Sequence, residues 1–215
     1  MRAGRLVLLA ALAGAAAGCG SEGPVLVRLD MPGVSPFPAG AFDEIIVTDF
    51  RNEARLPDLD PGLELRTYLA AEIRRSFEGK VSVQPRPAGD EPAPAAWREA
   101  AAGRGRAVFV TGSVRLDSQV RKAVQDRGLV EGPFSLPGRG LIEKLRWTLV
   151  VDLAVISAET GEAVFRRTYR ENRDYFELDR PSESAFFDLA FVFREHLFPT
   201  LLGAASVESR TLLRR

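Results

Sequence analysis

The chain has 215 residues, 46% of them hydrophobic, which is enough for one ordinary globular core. Its 29 Lys and Arg balance 29 Asp and Glu, and that neutrality leaves no electrostatic footprint for nucleic acid. One histidine and one cysteine supply neither a zinc cluster nor a disulfide framework.

Arg2 and Arg5 precede an uncharged run of Leu, Val, Ala and Gly from Leu6 to Ala17. A membrane span needs roughly 20 apolar residues to cross about 30 Å of hydrocarbon, so this run is too short. It reads as the h-region of an export signal covering residues 1–18. Ala16-Ala17-Gly18-Cys19 resembles a bacterial lipobox, with Ala16 where Leu usually stands. That resemblance implies cleavage before Cys19, a diacylglycerol on its sulfur and an acyl chain on its nitrogen. More than one buried chain makes a stable anchor. Lipidation also removes a lone thiol that would be awkward in an oxidising compartment. Ala15-Ala16-Ala17 fits the rival A-x-A cut of ordinary secretion, which would release a soluble protein. In enterobacterial lipoproteins Gly after the cysteine, here Gly20, goes with outer-membrane sorting and a periplasmic location. Loss of the leader removes Arg2 and Arg5 and leaves the mature chain slightly acidic.

Residues 19–40 are rich in Gly, Pro and Ser and read as a tether. Val25-Leu26-Val27-Arg28-Leu29 interrupts it as a short edge strand or extended chain. Glu44 to Phe50 is a β-branched strand, with Ile45, Val47 and Asp49 on one face and Ile46, Thr48 and Phe50 on the other. Asp60-Pro61 supplies an N-cap and a first-turn proline. Leu65, Leu69, Ile73 and Phe77 follow at helical spacing, and Gly79 can end the helix. Val81-Ser82-Val83 is a second strand. Pro85 to Pro94 is a loop, and Ala95 to Ala102 a short helix carrying Trp97.

The next strand alternates clearly: Val108, Val110, Val114 and Leu116 face one way, Phe109, Thr111, Ser113 and Arg115 the other. Trp147 to Ile156 is apolar at nearly every position and reads as an interior strand. A turn at Thr160-Gly161-Glu162 leads to an antiparallel strand from Ala163 to Arg170. The last helix runs from Ser184 to Phe198, stopped by Pro199. Phe186, Leu189, Ala190, Phe193 and Leu197 form its core stripe. Phe187, Phe191 and Phe198 form a second stripe, either buried on another side or facing a partner or the membrane. The order β-α-β-(α)-β-β-β-α predicts an α+β, two-layer sandwich: a mixed four- to five-stranded sheet with two main helices on one face. Residues 41–203 are expected as one domain and 204–215 as a C-terminal tail.

Residues 121–146 are long for a connection between two strands. This insertion carries Phe134 and Leu136 between Gly-Pro and Pro-Gly pairs, then Leu141 and Ile142. It reads either as a loop folded over the core or as a partner surface. Phe134, Leu136, Leu141, Ile142, Phe187 and Phe191 are the candidate partner-binding residues.

Ile45 to Glu53, Pro61-Gly62-Leu63-Glu64, Val110-Thr111-Gly112-Ser113-Val114, and Asp152 followed by Thr160-Gly161-Glu162 stand in the order of a group of envelope lipoproteins. The chain resembles the lipopolysaccharide-assembly lipoprotein that plugs an outer-membrane translocon, most clearly at Pro61 to Glu64. It is also similar to curli-secretion lipoproteins and to lipoprotein activators of penicillin-binding proteins, which the short helix at Trp97 fits better. The resemblance implies a lipid-anchored, non-enzymatic protein without a cofactor. It implies an envelope protein as partner, such as an outer-membrane barrel.

From the residues alone, His196 lies in the apolar last helix and is expected in core or rim packing. Gly138-Arg139-Gly140 lacks the phosphate-loop pattern and reads as a turn. Asp58 and Asp60 lack the glycine and spacing of a calcium loop. Aspartate and glutamate are plentiful, so a hydrolase using two carboxylates stands as a third class; a cleft with paired acids would favour it.

Overall fold

The structure is a computed structural model that describes residues 25–33, 35–37, 40–53, 56–126, 139–203 and 206–214. Cys19, Phe134 and Leu136 lie outside the described residues. The chain divides into two compact units. The smaller is an antiparallel pair, β1 (Val25–Gly33) with β7 (Ser206–Arg214), in register from Val25 opposite Arg214 to Gly33 opposite Ser206. A strand therefore stands inside the expected tether, and another stands where a tail was expected. The C-terminal stretch Ser206-Val207-Glu208-Ser209-Arg210-Thr211-Leu212 has apolar residues too sparse to announce a strand, and its partner is almost the whole chain away.

The larger unit, Val34–Ala205, is α+β. It contains β2 (Glu44–Asn52), α1 (Pro61–Ser76), β3 (Lys80–Gln84), α2 (Pro94–Ala101), β4 (Ala107–Asp126), β5 (Arg139–Ser157), β6 (Ala163–Tyr175) and α3 (Ser182–Leu201). The sheet order is β3-β2-β4-β5-β6. β2 runs parallel to both its neighbours; the β4–β5 and β5–β6 pairs are antiparallel. The mixed five-stranded sheet with two main helices on one face is the architecture expected from the sequence.

Local chemistry fixes the start of α1. The Asp60 carboxylate accepts hydrogen bonds from the backbone of Gly62 (2.9 Å) and Leu63 (3.2 Å), satisfying two of the donors that a helix start leaves open. Leu65, Leu69 and Ile73 then face the sheet and are fully buried. From α3, Phe186, Leu189, Phe193 and Leu197 enter the same core, where they meet Ile45, Val47, Val108, Val110, Leu149 and Val151. A smaller cluster on the other face joins Trp97 and Ala101 of α2 to Ile46, Phe109 and Ile156. Trp97 packs on Phe109 with ring centroids 5.1 Å apart.

Three local expectations are corrected. The β2–β4 register slips between Val47 and Phe50, so one extra β2 residue turns Phe50 into the helix-side core with Ile45 and Val47. Pro199 does not stop α3, which continues to Leu201. Proline near the end of a helix forfeits one hydrogen bond, and burial of Leu197 and Leu201 holds the last turn in place. Finally, 121–146 is not mainly a loop. β4 extends to Asp126 and β5 begins at Arg139, paired residue for residue from Asp126–Arg139 down to the body of the sheet. Arg139-Gly140, read as part of a turn, opens β5. Charged residues such as Arg121, Lys122, Glu143 and Lys144 break the apolar alternation that would have marked these strands.

Candidate functional site

Two surfaces compete for the role of functional site. The first is the outer side of α3. Phe187 is 40% exposed and Phe191 52% exposed, whereas Phe198, their companion at helical spacing, packs against the core. Phe187 meets Tyr68 of α1 edge-to-face at 6.4 Å, and burial pushes the Tyr68 hydroxyl up from its ordinary pKa. The Arg194 guanidinium lies over the Phe191 ring at 4.5 Å. Arg194 also reaches Glu72 of α1 at 2.6 Å, and Glu72 is paired with Arg75 as well. Hydrogen bonds to Glu195 and Glu72 hold the Arg194 guanidinium in its charged form. The two rings thus stand on a braced helix pair. His196 is exposed on the same helix, its Nδ1 2.7 Å from Glu171 Oε1, at the rim of the fold.

The remaining candidates stand on the β4–β5 hairpin. β6 pairs with β5 only as far as Leu145 opposite Tyr175, and β2 pairs with β4 only up to Val114. The far end of the hairpin is therefore a two-stranded ribbon. Leu141 on it is 73% exposed and Ile142 half-buried. They are neighbours in β5, so they point to opposite faces and do not form one patch. Leu141 and Ile142 stand on β5, and Phe187 and Phe191 on α3.

The second surface is a cleft of about 320 Å³ on the α2 side of the sheet. Its floor comes from Thr111 and Ser113 of β4 and Asp152 of β5, three alternating positions on the face away from the main core. Thr111 and Ser113 are buried. Thr168 of β6 donates its hydroxyl hydrogen to Asp152. Arg51 from the end of β2, Arg86 from the β3–α2 connection and Arg166 from β6 line the walls. Arg51 pairs with Glu53 at 3.0 Å and Asp90 at 3.5 Å. Hydrogen bonds from Ser113 and Arg51 hold the Glu53 carboxyl below its ordinary pKa. Burial, together with the neighbouring Arg51 charge, holds the Arg86 guanidinium below its own. Asp90 and Glu91 stand at the same cleft.

Tight backbone approaches shape this region. A Cβ on Gly112 would lie 2.0 Å from the Asp152 carbonyl oxygen, so only glycine lets β4 and β5 close there. Gly161, at φ +72°, turns the β5–β6 connection, and a Cβ on it would strike the Pro94 carbonyl at the start of α2. Among the described residues no group of three or more His, Cys, Asp or Glu could hold a metal ion. No described helix is long and apolar enough to cross a membrane.

Sequence reasoning did not find the cleft arginines. Arg51, Arg86 and Arg166 come from three separate elements with no common spacing, among many other arginines. The usable signal was the polar run Thr111, Ser113 and Asp152 on strands whose other face is wholly apolar.

No family model matches the chain, and no curated protein matches it. Solved structures do share its outline. A PelC dodecamer from Paraburkholderia phytofirmans is 15% identical with a TM-score of 0.43, covering 80% of this chain and 97% of that one. A neuraminyllactose-binding hemagglutinin homolog from Helicobacter pylori is 9% identical with a TM-score of 0.45, covering 79% and 90%. Lipoprotein GNA1162 from Neisseria meningitidis is 10% identical with a TM-score of 0.36, covering 74% and 98%. These are likenesses of outline at low identity, and what this chain does must be read from its own residues.

Proposed function

We propose that this chain is a lipid-anchored protein of the bacterial envelope that works by binding another protein and catalyses no reaction. The observation that carries the binding reading is the pair of exposed rings, Phe187 and Phe191, held on a braced helix pair. Large aromatic side chains on a rigid element give contact area at little cost in lost freedom, which is why they dominate interface energetics. The leader and Ala16-Ala17-Gly18-Cys19 support the anchor. In this reading the mature protein faces the periplasm from the outer membrane, and its role is envelope assembly. The resemblance at Pro61 to Glu64 supports the lipopolysaccharide-assembly type, with an outer-membrane barrel as partner.

A second reading has its own support. α2 forms as expected and buries Trp97, and a helix at that place fits the curli-secretion and penicillin-binding-protein activator types better. Pro61 to Glu64 weighs less than it did in the sequence alone. A Cβ on Gly62 would lie 2.3 Å from the Phe50 carbonyl oxygen, so that motif answers a packing need. For a carboxylate hydrolase, one carboxyl must be free to give a proton and another free to accept one. In the cleft Asp90 is paired with Arg51 and Asp152 accepts from Thr168, which leaves Glu91 alone without a specific partner rather than a pair of free acids.

Two measurements test the proposal. Cys19→Ser should move the protein from the membrane to the soluble fraction and abolish a lipid-modified N-terminal peptide in the mass spectrum. Unchanged fractionation with no lipid mass on the wild-type peptide defeats the anchor. Gentle solubilisation and cross-linking of the wild-type chain should then recover an envelope protein that the double variant Phe187→Ser/Phe191→Ser loses. Equal recovery by both defeats the binding surface.

A further inference from the structure

We propose that the cleft between β4, β5, β6 and the β3–α2 connection binds a small oxyanion, a phosphate or carboxylate group. This inference does not depend on the protein-binding role of α3. It starts from which polar groups in the cleft already have partners. Asp152 is bonded to Thr168, and Asp90 is paired with Arg51. Arg51 is committed to Glu53 and Asp90. Apart from Glu91, the groups left over are donors. Arg86 gives one Nη to the Asp90 carbonyl, while its buried Nε has no partner. Arg166 makes no ion pair or hydrogen bond among the described residues. The Thr111 hydroxyl, in a side chain 97% buried, has no partner either.

Buried donors without acceptors, such as the Thr111 hydroxyl and Arg86 Nε, are uncommon, because each costs the desolvation of its group; Arg166 is exposed and simply free among the described residues. Two guanidiniums and a hydroxyl line one cleft, and guanidinium forks suit oxyanions. Asp152 is bonded to a neutral hydroxyl and Glu91 has no specific partner, but Arg51, Arg86, Arg166 and Arg167 outnumber Asp90, Glu91 and Asp152 around the cleft, so the lining favours an anion. Glu91 stands as an acceptor for a hydroxyl or amino group beside the anionic one. The cleft size suits a single small molecule or one end of a larger one. It does not suit a protein surface.

The test is a titration of the full chain in a neutral, phosphate-free detergent, followed by amide proton–nitrogen NMR at fixed ionic strength. Inorganic phosphate is the first probe, acetate the second, and chloride the reference. The expected result is saturable shifts confined to the amides around Gly112, Ser113 and Thr168. Shifts with phosphate alone, acetate alone or both would all support the site and would tell which oxyanion it prefers. In Arg166→Gln and Arg86→Gln the apparent Kd should rise about tenfold or more, the usual effect of losing a charge-assisted hydrogen bond. Arg166 is unpartnered and on an exposed position, so its variant keeps the fold even if the Arg86 variant does not. The proposal is overturned if neither anion gives saturable shifts, or if Arg166→Gln titrates as the wild type does.

Discussion

The two faces of the sheet are built from the same strands and have opposite characters. The face under α1 and α3 is apolar from β2 to β6 and is sealed by two long helices. Among the described residues the other face is covered only at one end, where α2 sets Trp97 on Phe109 and Ile156. Beyond that end its positions include Thr111, Ser113, Arg115, Asp152, Thr168 and Arg166, with Val150 among them. Because successive side chains in a strand point to opposite faces, one sequence writes both surfaces at once. The apolar half of the alternation is stability. The polar half is left for function, and the cleft opens where α2 stops.

The largest expected effect separates the faces directly. Phe186 is fully buried beneath α3. Phe186→Ala should cost about 3–5 kcal/mol, the usual range for removing a ring from a packed core. Thr168→Ala on the open face should change stability by less than about 0.5 kcal/mol. Chemical denaturation of both variants measures the contrast. Similar losses at the two sites would mean that the open face is itself part of the core.

A smaller effect sits at the edge of the covered face. The Tyr175 hydroxyl donates to Asp188 Oδ2 at 2.8 Å, and Arg180 holds the same carboxylate at 3.3 Å. Burial, and then the hydrogen bond to the Asp188 carboxylate, push the Tyr175 hydroxyl from its ordinary value near 10 up to about 12. Ionisation is disfavoured in the folded state, so this contribution is fully present below pH about 10 and is lost as pH rises toward 12. Tyr175→Phe should cost about 1.5–3 kcal/mol at neutral pH, since it removes one hydrogen bond to a charged acceptor. It should also flatten the loss of stability between pH 10 and 12. An unchanged alkaline slope in the variant would place the pH dependence on another group.

How far the sequence could be read follows the same division. The covered face was legible because Leu65, Leu69 and Ile73, and Phe186, Leu189 and Phe193, repeat at helical spacing over strands that alternate. Phe50 escaped because a bulge changes the face of every residue after it, and nothing in Thr48-Asp49-Phe50 marks the extra residue. The hairpin strands escaped because their ends carry charge on both faces, as a ribbon in water allows. The motifs that carry the family resemblance turn out to be packing devices. Gly62, Gly112 and Gly161 each sit where a Cβ would strike a backbone carbonyl. They specify how elements close on one another, so they can be shared by proteins that bind different things. Of the cleft arginines Arg51 lies within one of those motifs, Ile45 to Glu53; Arg86 and Arg166 stand outside them, and the fold brings the three together.

A smaller stability effect bears most on function. Phe187 and Phe191 lie on the covered face's own helix but on its outer side, so they belong to neither half of the comparison. If they were core, serine at both positions would cost several kcal/mol, because fully burying one such ring is worth roughly 1.5–3 kcal/mol. Both are 40% exposed or more, and each is already touched on one side, by Tyr68 or by Arg194. Losing those contacts should cost only about 0.5 kcal/mol apiece. The Phe187→Ser/Phe191→Ser chain should therefore melt within a few degrees of the wild type, since about 1 kcal/mol shifts the melting temperature of a domain this size by roughly 2–4 °C. The same two substitutions remove the aromatic area offered to a partner. A near-normal melting temperature with lost co-purification makes the outer side of α3 an interface. A large drop in melting temperature with the partner still bound would make the two rings part of the core, and the partner would then have to be sought on the open face.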